Sequence, residues 1–403
     1  MIYSVTFYCP DTHIQYDGRT PYTKGVGGGI TARIRMARAL ARAGHRVTMV
    51  VNCAKKTRID GVEYRPLEEV KQIQGDILIL NTSGGPLDLS PILQIDVDVG
   101  LRAVWTSGTP RPGGLGDVDY DFVYAKSNFL RQVAQEEWGV PEAKIFVAYN
   151  GFEEGDFKRA EKSSGKRDPY RLVYFSHPSK GLETTLDVLH RLRSVDSRFH
   201  LVVFGGNQLW GQEEAAMPSD PGLDYRGLVG QKELVKELFG CSYSMNLQAR
   251  LEPFGMVITE SMRAGCVVIA SPVGAYAELV RDGEDGFLIQ GDHESEEVRG
   301  DAARLILKLV QNPDAFDYVQ RNAVNVIWDT DTMVRVWEGH WQWWFGGQSR
   351  DEVVLDPCPA CGSNRLWLAD GYHCTGCGKY FRERDGAERG EGERGKRKVE
   401  SGK

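Results

Sequence analysis

The stretch Arg250-Leu-Glu252-Pro-Phe-Gly255-Met-Val-Ile-Thr-Glu260-Ser-Met-Arg-Ala-Gly265 sets two carboxylates eight residues apart across a Pro-Phe-Gly turn that opens a helix. A helix entered this way leaves its first backbone N–H groups without partners, and those amides, with the helix dipole, form a seat for phosphate or sugar oxygens. Phe254, Gly255 and Met256 frame that seat. Glu252 precedes the helix, where it can accept hydrogen bonds from polyol hydroxyls, and Glu260, two turns in, can hold a second diol such as a ribose. An anion seat flanked by two hydroxyl readers has the outline of a nucleotide-sugar pocket.

Working outward, Cys266-Val-Val-Ile-Ala-Ser271-Pro-Val-Gly274 reads as a buried strand and turn, and Glu278-Leu-Val-Arg-Asp282-Gly283-Glu-Asp-Gly286 follows it. Upstream stands Tyr149-Asn150-Gly151-Phe152, with Phe157 close behind. Together these runs resemble the E-x7-E signature, the following acidic-glycine run and the interdomain marker of retaining glycosyltransferases of the GT-B fold, family 4. The resemblance extends over roughly residues 2 to 345, and its specific part is the carboxyl-terminal half. It implies two Rossmann-like domains facing a cleft, a nucleotide-sugar donor held by the second, and a glycan, lipid-linked glycan or small-molecule acceptor.

The wider sequence pattern points to the same α/β class. Strand-like runs at Ile2 to Cys9, Arg46 to Asn52, Asp76 to Leu80, Ala103 to Thr106, Phe122 to Ala125 and Ile145 to Tyr149 alternate with helical patterns at about Ile30 to Ala43 and Phe129 to Trp138. Such alternation predicts a parallel sheet covered on both faces. A polar linker is expected at Lys158 to Pro169, followed by a second alternating set: Arg171 to Phe175, a helix from about Leu182 to Arg193, His200 to Phe204 and a run at Leu234 to Phe239. The expected division is 1–160 for the first doubly wound domain, 161–330 for the donor domain, 331–347 for a helix crossing back, 348–382 for a small metal-binding module and 383–403 for a charged, disordered tail.

Gly25-Val-Gly27-Gly28-Gly29 precedes a helix, so the backbone at Gly28 and Gly29 can approach an anion or a sugar closely. A dinucleotide cofactor would need an acidic residue at the end of the second strand, where Asn52 and Cys53 stand instead. Ser176-His177-Pro178-Ser179-Lys180-Gly181 follows a strand and opens another helix, which places Lys180 where a cation suits a departing diphosphate. Two positions depart from the family pattern: Phe175 replaces an arginine, for which Arg250 is a candidate substitute, and Val104-Trp105-Thr106-Ser107-Gly108-Thr109 lacks a histidine that approaches the donor sugar in many relatives. No carboxylate is placed as a nucleophile, so the resemblance implies front-face transfer with retention, the leaving phosphate taking the acceptor proton. Asp96/Asp98 and Asp117/Asp119 have the spacing of a donor metal site but lie away from the donor motifs, and no catalytic metal is expected. A catalytically idle scaffold using its metal module for binding, and a nucleotide-sugar epimerase, remain the alternatives.

The chain of 403 residues is 41% apolar with a formal charge of -7, which supports packed cores and argues against wholesale nucleic-acid binding. The first residues read as a strand rather than a leader, and no apolar run is long enough to span a bilayer, so a cytoplasmic protein is expected. Cys9, Cys53, Cys241 and Cys266 read as reduced core residues. Cys358, Cys361, Cys374 and Cys377 form two CxxC knuckles twelve residues apart, the spacing of a zinc ribbon in which four thiolates close the metal's coordination, so the zinc is structural. The ribbon's partner stays open. Trp337, Trp341 and Trp344 give the segment 331–345 an aromatic face, for core packing or for a bilayer surface. Arg35, Arg38, Arg42 and Arg46 recur at helical spacing, which suits either a solvated face or peripheral contact with anionic lipid at the inner membrane face.

Overall fold

A computed structural model of the chain describes residues 1–83, 87–214, 220–326 and 328–346, and the backbone of 365–368, 371–374 and 380–382. Eight strands form the first sheet: β1 (Ser4–Tyr8), β2 (Arg46–Val51), β3 (Thr57–Ile59), β4 (Val62–Pro66), β5 (Gln72–Leu80), β6 (Asp96–Val104), β7 (Phe122–Ala125) and β8 (Ile145–Val147). Their order is β3-β4-β2-β1-β5-β6-β7-β8, parallel throughout except for the β3–β4 hairpin. Six parallel strands form the second: β9 (Asp168–Ser176), β10 (His200–Gly205), β11 (Leu223–Gly227), β12 (Cys241–Asn246), β13 (Val267–Ala270) and β14 (Phe287–Leu288), in the order β11-β10-β9-β12-β13-β14. The central strands are buried on both faces, as β7, β12 and β13 are along their whole length, which is what helices on both sides of a parallel sheet require.

The helices are α1 (Thr20–Thr23), α2 (Gly28–Arg42), α3 (Asn128–Glu136), α4 (Glu154–Ser163), α5 (Leu182–Val195), α6 (Gln231–Leu238), α7 (Met256–Arg263), α8 (Tyr276–Leu279), α9 (Glu296–Gln311), α10 (Pro313–Ala323) and α11 (Thr330–Phe345). The expected linker from Lys158 is corrected here. Its first residues belong to α4, which has Glu154 and Asp156 in its first turn and buries Phe157 and Ala160. Polar composition hid a helix whose apolar stripe is only two residues wide.

Two crossings join the domains side by side: Phe152 N–H donates to Trp328 O at 3.0 Å and Thr330 N–H to Phe152 O at 2.9 Å. Asp329 then caps α11 by accepting from Thr332 N–H, and the helix returns to the first sheet. Trp337 lies against Trp105 at 5.1 Å between ring centroids, and Trp341 donates from Nε1 to Tyr124 Oη at 3.1 Å. Both are fully buried, so this aromatic face is core. Near the carboxyl end, β15 (Arg365–Leu368), β16 (Gly371–Cys374) and β17 (Tyr380–Arg382) form an antiparallel sheet. Cys358, Cys361 and Cys377, and the side chain of Cys374, lie outside the described residues, as does 383–403. Cys9, Cys53, Cys241 and Cys266 are buried free thiols.

Candidate active site

Strand order reverses at β1 in the first sheet and at β9 in the second, and the loops leaving these two strands face each other across the cleft. The cleft encloses about 800 Å³, and it is lined by every candidate of the catalytic and donor sets: Gly28, Gly29, Lys180, Arg250, Glu252, Phe254, Gly255, Met256 and Glu260. Residues 28 to 260 are thus brought together by two sheets that share no strand.

Local backbone geometry sets the two helix starts on the second domain. Gly181 (φ 91°) precedes α5 and Gly255 (φ 105°) precedes α7, both in the left-handed region that a side chain would strain, and neither helix has a side-chain cap. A Cβ at Gly181 would collide with the Leu247 carbonyl, and one at Gly255 with the Tyr276 ring. The result is that Lys180 and Phe254 arrive at uncapped, electropositive helix ends. Across the gap Gly28, at the start of α2, comes within contact of Met256: a Cβ there would lie 3.6 Å from its sulfur. Two helix N-termini therefore converge on one point of the cleft.

Lys180 is not a free cation. Its ammonium pairs with Glu252 Oε1 at 2.6 Å, and Gln248 Nε2, 3.5 Å from the same oxygen, also donates to Tyr276 Oη at 2.9 Å. Burial, then the Glu252 charge, pushes the Tyr276 phenol well above its ordinary range, so the ring stays a neutral hydrogen-bonding partner. The pair keeps both charges compensated in a half-dry pocket, where either one by itself would be costly.

Glu260 is likewise held, and by a residue for which sequence gave a different role. Arg35, from α2 of the first domain, pairs with Glu260 Oε1 at 2.5 Å and donates to Gln231 Oε1 at 2.6 Å, with both members of the ion pair buried. This overturns the reading of Arg35, Arg38, Arg42 and Arg46 as one outward stripe. Arg38 pairs with Asp60 at 3.1 Å and lies over the Tyr22 ring, and Arg42 reaches Glu153 at 2.9 Å and Asp331 at 2.8 Å; Arg46 stands exposed. Helical spacing located the arginines, but the carboxylates facing three of them come from residues 60 to 331.

Trp210 and Lys126, absent from the sequence reading, also line the cleft. Trp210 is a platform: His177 stacks on it at 3.6 Å and 11° between planes, while Arg250 and Lys180 stand 4.7 and 5.9 Å from its centroid. Nothing in the polar run around Trp210 marks it beyond the tryptophan itself. Lys126, after β7, ends in the first domain's wall and donates to Ser107 Oγ. Ser107 and Thr109, in the segment where the histidine is missing, also line the cleft, as do Asn150 and Phe175. Among the described residues there is no group of three or more His, Cys, Asp or Glu side chains placed to hold a metal ion, and no helix is long and apolar enough to cross a membrane.

Residues 170–312 match the family model described as Glycosyl transferases group 1. An uncharacterized glycosyltransferase of Methanocaldococcus jannaschii is 29% identical over 140 residues, which cover 34% of this chain and 36% of that protein. Phosphatidyl-myo-inositol mannosyltransferase of Mycobacterium tuberculosis is 29% identical over 175 residues, covering 42% and 45%. The chain thus spans between a third and a half of the length of these curated relatives. In three dimensions it is similar to HepE of Anabaena in complex with UDP (TM-score 0.56, 16% identity, 84% of this chain and 99% of that one). It is similar also to sucrose-phosphate synthase of Thermosynechococcus elongatus (TM-score 0.60, 15% identity, 86% and 100%). At such identities the structural likeness is one of fold. The chain therefore has the two-domain GT-B architecture of these structures, and its segment 170–312 is similar to the glycosyl transferases group 1 family.

Proposed function

We propose that the chain is a retaining glycosyltransferase that moves a sugar from a nucleotide-sugar donor to a glycan, lipid-linked glycan or small-molecule acceptor. The observation that carries this reading is the meeting of the Lys180–Glu252 pair with the uncapped start of α7 and the Gly28 turn in one cleft. In this reading the donor's diphosphate takes Lys180 and the first amides of α7, which frees Glu252 to receive the sugar hydroxyls. Charge that builds on the leaving phosphate then meets donors already in place, the condition for lowering the barrier rather than merely binding substrate. Arg250, on the Trp210 platform, is the second cation available to the diphosphate.

In this reading Glu260 is held by Arg35, and Glu252, once released by Lys180, is committed to the sugar hydroxyls, so neither glutamate acts as a nucleophile, which supports front-face transfer with the leaving phosphate as proton acceptor. Lys180, Arg250 and two helix ends supply positive charge without a donor metal, in keeping with a metal-independent site. HepE of Anabaena, similar in fold, is solved in complex with UDP and with UDP-glucose, so uridine nucleotides are the first donors to assay. Cytoplasmic location and the zinc ribbon at Cys358, Cys361, Cys374 and Cys377 complete the proposal.

A thermal-shift screen of UDP, GDP, ADP and their sugar conjugates selects the donor, because a ligand that binds only the folded chain raises its melting point. Donor turnover in Glu252→Ala and Lys180→Ala variants is then the decisive measurement, with an expected fall of about 10²- to 10³-fold in kcat for Lys180→Ala. Turnover unchanged in both would refute the assignment, and an isomerised donor formed without acceptor would mark an epimerase.

A further inference from the structure

Lys126 is 1% exposed, and among the described residues its amine nitrogen has only the Ser107 hydroxyl and the face of Trp105, 4.4 Å from the ring centroid, as close partners. Among the described residues no carboxylate pairs with it. Asp11, after β1, is engaged by Arg33 at 2.6 Å and by the Ser83 amide at 3.0 Å. A hydroxyl and a π face replace water poorly around a buried cation. Burial first, and then the Arg33 charge, hold the amine well below the usual lysine range, with Cys9 and Asp11 pulling the other way.

The surroundings of Lys126 open onto the cleft. A Cβ on Gly29 would lie 3.0 Å from Ser107 Oγ and would run into the Ser83 side chain, so these hydroxyls and the first turn of α2 meet at one spot. The 15-residue α2 has no side-chain cap at Gly27. Lys180 and Arg250 belong to the opposite wall, on the second domain.

We propose that Lys126, Ser107, Ser83 and the first-turn amides of α2 form a second anion subsite that receives a phosphoryl group of a substrate. That group is either the donor's own phosphate or a phosphate carried by the acceptor. The inference shares the cleft with the transferase reading but does not depend on Lys180. A phosphoryl group placed there supplies the missing counter-charge, so its binding draws a proton onto the amine.

Calorimetric titration of the full chain near neutral pH, in two buffers of different ionisation enthalpy, reads that proton directly. The probes are UDP, GDP and ADP, followed by glucose 6-phosphate or inorganic phosphate added to the nucleotide-saturated protein. Wild type is expected to take up a proton. Lys126→Met should take up none and bind at least about tenfold more weakly, the scale of one lost charge-assisted hydrogen bond. Lys126→Arg, always charged, should bind without uptake. Uptake with nucleotide present by itself identifies the donor phosphate, whereas uptake only on adding the second phosphate identifies the acceptor's. Uptake that persists in Lys126→Met, or is absent from wild type in every arm, overturns the proposal. The ligand-free Met variant should melt no lower than wild type, since a buried, poorly compensated amine is removed; a lower melting point marks Lys126 as a structural group and also overturns it. Nucleotide binding that needs Lys180 but ignores Lys126 leaves the transferase reading intact and sinks this subsite. Phosphate-driven uptake in a protein that binds no nucleotide does the reverse.

Discussion

Around Trp210 the protein stacks a histidine whose surroundings disfavour its charged form. His177 shares Nδ1 with Ser179 Oγ at 2.8 Å and Nε2 with Gln212 Oε1 at 3.1 Å, and it lies flat on the indole. Burial lowers its pKa; the Gln212 contact works against this, and the Lys180 and Arg250 charges add to the lowering. Because the folded value lies below the unfolded one near 6.5, the unfolded chain binds more protons between the two. Stability therefore rises with pH across that window, is complete above 6.5, and is lost as pH falls toward the depressed folded value. Melting temperatures of wild type and His177→Asn, followed from acid to neutral pH, should diverge below 6.5, with the variant lacking that part of the slope. Equal slopes would remove the argument. The sequence marked position 177 only as part of a helix-start turn, because stacking on a residue 33 positions later leaves no local trace.

At the scale of elements, the cleft depends on where helices begin. A left-handed glycine at the start of α7 makes the turn that sends Phe254 inward and leaves the first amides uncapped. Gly255→Ala would combine backbone strain of about 1–3 kcal/mol with a collision against Tyr276 of comparable cost. A loss of about 2 kcal/mol or more is expected in urea unfolding, together with weaker nucleotide binding, because α7 can no longer start at the same residue. An alanine variant as stable as wild type would show that the turn tolerates another conformation. Elements with strong local signals were legible in the sequence: the strand-turn-helix runs at Lys180 and Glu252, and the alternation that implies parallel sheets. Others went unread: α9 and α10 received no assignment although Ser295 and Asn312 cap their starts, and the remaining misses have weak signals. The β3–β4 hairpin and two-residue β14 are short, and α4 reads as polar because its buried face is narrow.

For the whole molecule, the Arg35–Glu260 pair ties the two domains together across the cleft, with the Ser127 hydroxyl donating to Pro253 O at 2.6 Å and Asn128 N–H to Glu278 Oε2 at 3.1 Å beside it. Burial raises the Glu278 carboxyl above its ordinary range, the cost of placing an acid at that seam. Removing one member of a buried pair strands the other, so Arg35→Ala should destabilise the chain by about 3–5 kcal/mol. The double variant Arg35→Ala/Glu260→Gln should lose clearly less than the sum of the single losses, because no charge is then left unpaired. Calorimetric unfolding of the four proteins tests this, and strict additivity would show that the pair does not couple the domains.

What the sequence determined by itself is what short-range chemistry encodes: glycines where the backbone must turn left-handed, apolar runs at strand spacing, acids flanking a helix start, and four cysteines at metal-knuckle spacing. From these the α/β class and a nucleotide-sugar cleft could be expected. Only the tertiary structure decided which charges meet. It gave Arg35 to Glu260, Lys180 to Glu252, and left Lys126 with a hydroxyl and an indole. The reason is physical: a strand or turn is specified by neighbours a few residues away, whereas the partner of a buried charge is chosen by how separate sheets and helices pack, at sequence distances of up to 225 residues here.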